Sequence, residues 1–142
     1  MHRGSGKQRE RGTSTLEFIV VAPTLLVVLF GIMEVSRAWL AVNIATTAAR
    51  EGARVGVVTP APGGAFNPGP ALAKINQILA AANLTGMITP GQPPTVTCPT
   101  PCVSDSTVTA TVNLTFNTFE PLFLPPQLTG LNINRTTVMR YE

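Results

Sequence analysis

The chain carries few side chains that could do catalytic chemistry. Its one histidine is His2, its one aspartate is Asp105, and its only cysteines are Cys98 and Cys102. A nucleophile needs a base within hydrogen-bond reach, and a metal ion needs several convergent ligands. Neither arrangement can be drawn from these residues. We therefore expect a protein that is not an enzyme and that has neither a metal site nor another cofactor.

The two cysteines lie in the short segment Cys98-Pro99-Thr100-Pro101-Cys102. A disulfide between them is favoured if this part of the chain lies outside the cytoplasm. Closing so small a loop stabilises the fold by at most about 2 kcal/mol. The segment is not a Cys-x-x-Cys-His motif, so haem attachment is not indicated. We expect a disulfide at a turn between two strands.

A distinctive junction follows the basic leader, residues 1–12, which carries the whole net charge of +3. Gly12 is separated by four residues from Glu17-Phe18, and a long apolar run comes next. This junction resembles the site that type IV prepilin peptidase cleaves. The resemblance implies a cut after Gly12, a new N-terminus at Thr13, and an assembly role for Glu17 and Phe18.

The physical chemistry of the junction agrees with that resemblance. A glycine lets the backbone adopt the extended form that a protease cleft accepts, and the cut removes the basic anchor. A carboxylate among apolar helices is costly unless it is paired. The resemblance implies that Glu17 pairs with the α-amino group of a neighbouring subunit. The alternative is that Glu17 only stabilises the first helical turn.

The apolar run from Phe18 to Met33 contains no charged residue. With its flanks it provides a helix of roughly 20 residues, enough to cross a bilayer. It is apolar on every face, unlike the helix of a soluble core. The basic leader predicts a cytoplasmic N-terminus and an extracytoplasmic remainder. A cleaved secretory signal is the rival interpretation, although its best cut site, Ser36-Arg37-Ala38, is poor.

Several features occur in a fixed order over residues 11–58. They are Arg11-Gly12, Glu17-Phe18, Pro23, Gly31 with Glu34, and the AAREGAR segment from Ala48 to Arg54. In this order and spacing they resemble the TadE-like family of the tight adherence (Flp) pilus system. The chain is longer than the major pilin of that system, which favours a minor, pilin-like component.

The second half of the long helix is rich in small residues, which permit close approach of another element. They are Ala45, Ala48, Ala49, Gly52, Ala53 and Gly56. Such a stalk packs either on the chain's own domain or on other subunits. Glu34, Arg50, Glu51 and Arg54 are candidate stalk contacts. For Arg50 and Glu51 the alternative is a charge pair on a solvated helix face.

The remainder predicts a small extracytoplasmic domain. Apolar residues at helical spacing predict an amphipathic helix over 71–82, and unbroken alternation predicts a strand over 107–116. Further strands are expected at 95–97 and 132–141, and a proline-containing loop at 119–130. The fold class is therefore α+β, with a long N-terminal transmembrane and stalk helix followed by a short helix and an antiparallel sheet.

We expect four segments along the chain. They are a basic leader (1–12), a transmembrane and stalk helix (13–58), a Pro/Gly linker (59–70) and an extracytoplasmic α+β domain (71–142). Beyond the leader six basic residues balance six acidic ones, so no basic surface remains for nucleic acid.

The resemblance implies a pseudopilin-type minor component or assembly factor of an adhesive pilus, held by one span in the inner membrane. Its expected partners are prepilin peptidase, other pilin-like subunits, the pilus assembly machinery and the membrane itself. The alternative function is an unprocessed, membrane-tethered binding module of the cell envelope.

Overall fold

The computed structural model describes residues 7–59, 66–89, 91–99, 102, 105–117 and 130–140, with side chains from residue 15 onward. The chain divides into two compact units, Met1–Arg37 and Ala38–Glu142. Half of the expected linker (residues 60–65) and nearly all of the expected loop at 119–130 lie outside the described residues.

Helix α1 runs from Lys7 to Val58 and contributes to both units. It begins before residue 13, where the predicted transmembrane and stalk helix starts, because the end of the leader is also helical. Pro23 lies inside α1, and the helix continues through it. Pro23 has no N–H to donate, and membrane helices tolerate this loss.

The second unit contains the rest of the regular structure. Helix α2 spans Gly69–Ala81, a 3₁₀ turn spans Thr85–Met87, and the strands are β1 (Thr95–Thr97), β2 (Thr107–Phe116) and β3 (Leu131–Arg140). The sheet has the order β1-β2-β3 and both pairings are antiparallel. The predicted α+β fold is confirmed, with strand bounds that differ from the sequence prediction by one residue at most.

Helix α2 ends in a capping arrangement that uses Asn83. This residue has a left-handed backbone (φ 58°), which asparagine adopts more readily than most residues. The amides of Asn83 and Leu84 donate to the carbonyls of Ala80 (3.0 Å) and Leu79 (2.8 Å). This pair of bonds is the Schellman motif, which satisfies carbonyls that the helix end leaves without partners.

The core of the second unit lies between the small-residue face of α1, the helix α2 and one face of the sheet. Strand β2 alternates as predicted, and its buried residues are Val108, Ala110, Val112, Leu114 and Phe116. Helix α2 contributes Ala71, Ile75 and Leu79, and α1 contributes Ala41, Ala45, Ala48, Ala49 and Ala53. The stalk residues therefore pack on the chain's own domain, which was one of the two expected alternatives.

The opposite face of the sheet carries threonine and asparagine side chains that bond across the strands. Asn134 Nδ2 donates to Asn113 Oδ1 at 2.6 Å, and Thr115 Oγ1 donates to Asn132 Oδ1 at 3.2 Å. Such cross-strand pairs hold β2 and β3 in register. These side chains are the polar residues of the alternating pattern in β2 and their partners in β3.

Candidate processing site and assembly helix

The residues at the predicted processing site lie on the first turns of α1. Gly12 and Thr13 belong to the helical backbone, and the side chain of Thr13 is outside the description. Glu17 and Phe18 follow one turn later, and both are exposed, Phe18 at 71%. The carboxylate of Glu17 forms no ion pair with any described residue. These side chains are presented on an uncovered helix surface.

The apolar surface of α1 is uncovered over the length that a bilayer needs. Its most apolar window of 18 residues has a mean hydropathy of 2.5, and none of that window is buried. Helices in the core of a soluble protein pass the same length and composition test, but they are mostly buried. This helix is long and apolar enough to span a membrane, and it lies near the N-terminus.

Polar side chains in this apolar stretch bond to their own helix. Thr24 Oγ1 donates to the carbonyl of Val20 at 3.1 Å, and Ser36 Oγ donates to that of Ile32 at 2.8 Å. Such bonds to the carbonyl one turn earlier satisfy hydroxyl groups that cannot reach water. Both hydroxyls are therefore compatible with a lipid environment.

An ion pair lies directly after the uncharged run, at its C-terminal end. Arg37 Nη1 donates to Glu34 Oε1 at 2.8 Å, and the side chains are 40% and 22% exposed, respectively. The second oxygen, Glu34 Oε2, is buried and has no hydrogen-bond partner among the described residues. The sequence prediction named Glu34 and not Arg37 as a site residue. Their separation of three residues could have predicted the pair, because residues three apart are neighbours on a helix surface.

The charged residues of the AAREGAR segment lie away from the core. Arg54 Nη1 lies 3.6 Å from Glu51 Oε2, with side chains 71% and 38% exposed, and Arg50 is exposed as well. Exposed pairs of this kind contribute little to stability. The structure brings Glu51 together with Arg54, whereas the sequence left the pairing of Glu51 with Arg50 open.

The opposite face of the same segment is filled by very close contacts. A Cβ atom added to Gly52 would lie 2.5 Å from Cδ1 and Cγ1 of Ile75 in α2. One added to Gly56 would lie 3.1 Å from Cγ1 of Val108 in β2. The two glycines therefore set how closely α2 and the sheet approach this half of α1.

Cys98 and Cys102 form a disulfide, with a Cα–Cα distance of 5.7 Å. It lies in the connection between β1 and β2, as the sequence predicted.

Within the described part of the chain, no three side chains of histidine, cysteine, aspartate or glutamate converge to hold a metal ion.

Comparison with known proteins bears on most of α1. Residues 12–54 match the model of the TadE-like protein family. The chain carries a TadE-like segment. This match confirms the resemblance predicted from the sequence, and it extends from Gly12 to Arg54.

The TadE-like segment makes up less than a third of the 142 residues. It contains the exposed apolar surface, the Glu34–Arg37 pair and most of the small-residue face. No curated protein and no solved structure matches the chain. The sheet and α2 therefore have to be interpreted from their own contacts.

Proposed function

We propose that this protein is a pilin-like minor component or assembly factor of a tight adherence pilus. The observation that carries the proposal is the TadE-like segment, whose most apolar window of 18 residues has no buried residue in the single chain. A helix of this kind has two suitable environments, a lipid bilayer and a bundle of similar helices. A pilin-like subunit uses both in turn.

Processing after Gly12 links the two environments. The cut removes a leader with a net charge of +3, which favours the cytoplasmic side of the membrane. Before the cut the N-terminus is cytoplasmic and the second unit is extracytoplasmic. The Cys98–Cys102 disulfide agrees with that location, since structural disulfides persist in oxidising compartments. After the cut the basic anchor is gone and the helix is free to leave the bilayer.

Glu17 is the proposed assembly carboxylate. It is exposed on α1 and lies four residues after Thr13, which becomes the new N-terminus. In lipid an unpaired carboxylate is costly, so a donor must come from elsewhere. The α-amino group of Thr13 in a neighbouring subunit has the required charge. The expected partners are therefore other pilin-like subunits, the assembly machinery and a prepilin peptidase.

The proposed role is structural rather than catalytic. The second unit offers a polar sheet face and a disulfide-closed connection, and the TadE-like segment offers packing surfaces. We propose no reaction for this chain itself. Other proteins, above all the peptidase, would perform the chemistry on it.

Substitution of Glu17 tests the proposed assembly role. We expect Glu17→Ala to reach the membrane normally and to lose pilus formation in a strain that depends on this protein. Glu17→Asp keeps the charge and is the matched control, which we expect to retain pili. The measurement is the count of pili per cell by electron microscopy. Normal piliation of the Glu17→Ala strain would favour the tethered binding module instead.

A further inference from the structure

One end of the second unit is formed by the parts of several elements that lie farthest from Gly56. Ala71, at the start of α2, lies against Gly56, whereas Ala82, just after the end of α2, lines a groove with Asn43 of α1. Helix α2 is therefore antiparallel to α1. Its C-terminus lies beside the part of α1 with which the second unit begins.

Strand β2 runs in the same direction as α2. Val108, near its start, also lies against Gly56, and Leu114 forms a bridge with Ile88, in the segment that follows α2. The last residue of β2 lies about 26 Å along the strand from Val108, at roughly 3.3 Å per residue. Trp39 lies about 26 Å along α1 from Gly56, at roughly 1.5 Å per residue. The end of β2 and Trp39 therefore belong to the same end of the second unit.

We call this part of the second unit the Trp39 end. Its described residues are 38–47 of α1, 78–89 of α2 and the following turn, 113–117 at the end of β2, and 130–133 at the start of β3. It exposes the large apolar side chains of Trp39, Leu40 and Leu131, which are 68%, 59% and 52% exposed, respectively. Apolar side chains that are exposed together mark a contact surface.

The Trp39 end carries no charged side chain among its described residues. The charged residues that the structure describes in the second unit lie elsewhere; they are Arg50, Glu51, Arg54, Lys74, Asp105, Arg135 and Arg140. Asp105 and Arg140 form an exposed ion pair (3.4 Å) at the opposite end of the sheet. A surface without charge that presents tryptophan beside neutral polar side chains matches the boundary between lipid and water, where tryptophan is enriched.

We propose that the Trp39 end lies in the headgroup layer of the bilayer that holds α1, so that the second unit rests directly on lipid. The inference rests on the membrane anchoring of the proposed function and adds a lipid-binding surface. Trp39 follows Met33, the last residue of the uncharged run, by about 9 Å of continuous helix. The headgroup layer is about 5–8 Å thick on each side of the hydrocarbon core. Ala41, two residues after Trp39, is already buried in the core of the second unit.

The absence of charge also selects the kind of lipid. Anionic headgroups attract clusters of lysine and arginine, and the described residues of the Trp39 end include neither. Its apolar side chains instead gain free energy by leaving water for the boundary of the acyl chains. The partner is therefore the surface of a neutral phospholipid bilayer, and the contact should require neither anionic lipid nor low salt.

Relocation of the chain's single tryptophan tests the contact. In a Trp39→Phe background, Leu131→Trp places the only tryptophan at the start of β3. Val138→Trp is the matched control, because Val138 is 57% exposed on the same strand and lies about 23 Å farther from the Trp39 end. Full-length chains are placed in phosphatidylcholine vesicles with and without bromine on the acyl chains, which quenches nearby tryptophan. We expect bromine to lower the emission of tryptophan at 131 and to leave that at 138 unchanged.

A second position and a second lipid make the test independent of one variant. Gly86→Trp places the tryptophan on the turn after α2, where an added Cβ atom meets nothing within 4 Å, and it should be quenched like Leu131→Trp. Vesicles that also contain phosphatidylglycerol should give the same quenching at both positions, in low and in high salt. Quenching that requires the anionic lipid, or that high salt abolishes, would show an electrostatic contact and contradict the proposal.

Unquenched tryptophan at 131 and 86, in chains that float with the vesicles, would overturn the proposal, because the second unit would then stand clear of the lipid. Equal quenching at 131 and 138 would also overturn it, because the sheet would then lie flat on the bilayer. The readout does not depend on cleavage after Gly12. An unprocessed chain that is quenched at 131 but not at 138 would contradict the proposed function and support the lipid contact, so the two failures are distinguishable.

Discussion

The absence of a side chain at Gly52 allows α2 to pack closely against α1 in the second unit. Ile75 is fully buried, and its Cδ1 and Cγ1 atoms occupy the space that a Cβ atom of residue 52 would need. Neither atom can move away easily, because protein cores are packed as densely as organic crystals. The glycine therefore serves close packing, at the helix-propensity cost that glycine carries.

Replacement of Gly52 by valine should destabilise the folded protein. We expect a loss of about 1–3 kcal/mol in the free energy of unfolding, because the added atoms overfill the contact with Ile75. Gly86→Val is the matched control, since a Cβ atom at Gly86 meets nothing within 4 Å. Denaturant unfolding of the full chain in detergent, followed by circular dichroism, measures both variants. An equal effect of the two substitutions would contradict the described packing.

At the residue scale, the sequence predicted the disulfide correctly but did not predict which charged side chains contact each other. The Cys98–Cys102 pairing followed from the count and spacing of cysteines, and it is confirmed. The pairing of Glu34 with Arg37 was not predicted, although the spacing allowed it. The unsatisfied oxygen of Glu34 could not be read from the sequence at all, because it depends on how neighbouring side chains enclose a single atom.

At the element scale β2 was predicted to the residue, because ten residues alternate without interruption between polar and apolar. Helix α1 was predicted to begin later than it does. The leader residues from Lys7 onward are mostly lysine, glutamine, arginine and glutamate, which are good helix formers, and only Gly12 weakens the run. The positive charge of residues 1–12 favoured the prediction of a separate leader. The helix propensity of the residues from Lys7 onward favours one continuous helix.

A charge in the middle of the apolar stretch should prevent membrane anchoring. Leu25 is 58% exposed on α1. Leu25→Arg adds about 2.5–3.5 kcal/mol to the cost of placing the helix in a bilayer. We expect the variant to move from the carbonate-washed membrane pellet to the soluble or degraded fraction.

Asn76→Arg, on the exposed face of α2, is the control for that experiment, because it adds the same charge outside the apolar stretch. We expect it to stay in the pellet with the wild type. A Leu25→Arg chain that sediments as fully as the control would show that this stretch is not the anchor.

At the scale of the whole molecule, the order of elements and the fold class followed from periodicity and from proline and glycine placement. The packing partner of the small-residue face could not be predicted from the sequence, because alanine and glycine permit close approach by any helix or sheet. The contacts of Gly52 and Gly56 with α2 and β2 settle that question for the second unit. The large apolar residues of α1 from Leu16 to Val35 stay exposed in the single chain.

The central claim is that this chain is a processed, pilin-like subunit, and its N-terminus tests that claim most directly. Intact-mass measurement of the protein purified from membranes of the native host gives the first residue of the mature chain. A Gly12→Leu variant is the control, because the side chain hinders the extended backbone that cleavage requires. We predict a wild-type mass that corresponds to a chain beginning at Thr13, and a variant that retains its leader. A wild-type chain that still begins at Met1 would contradict the account.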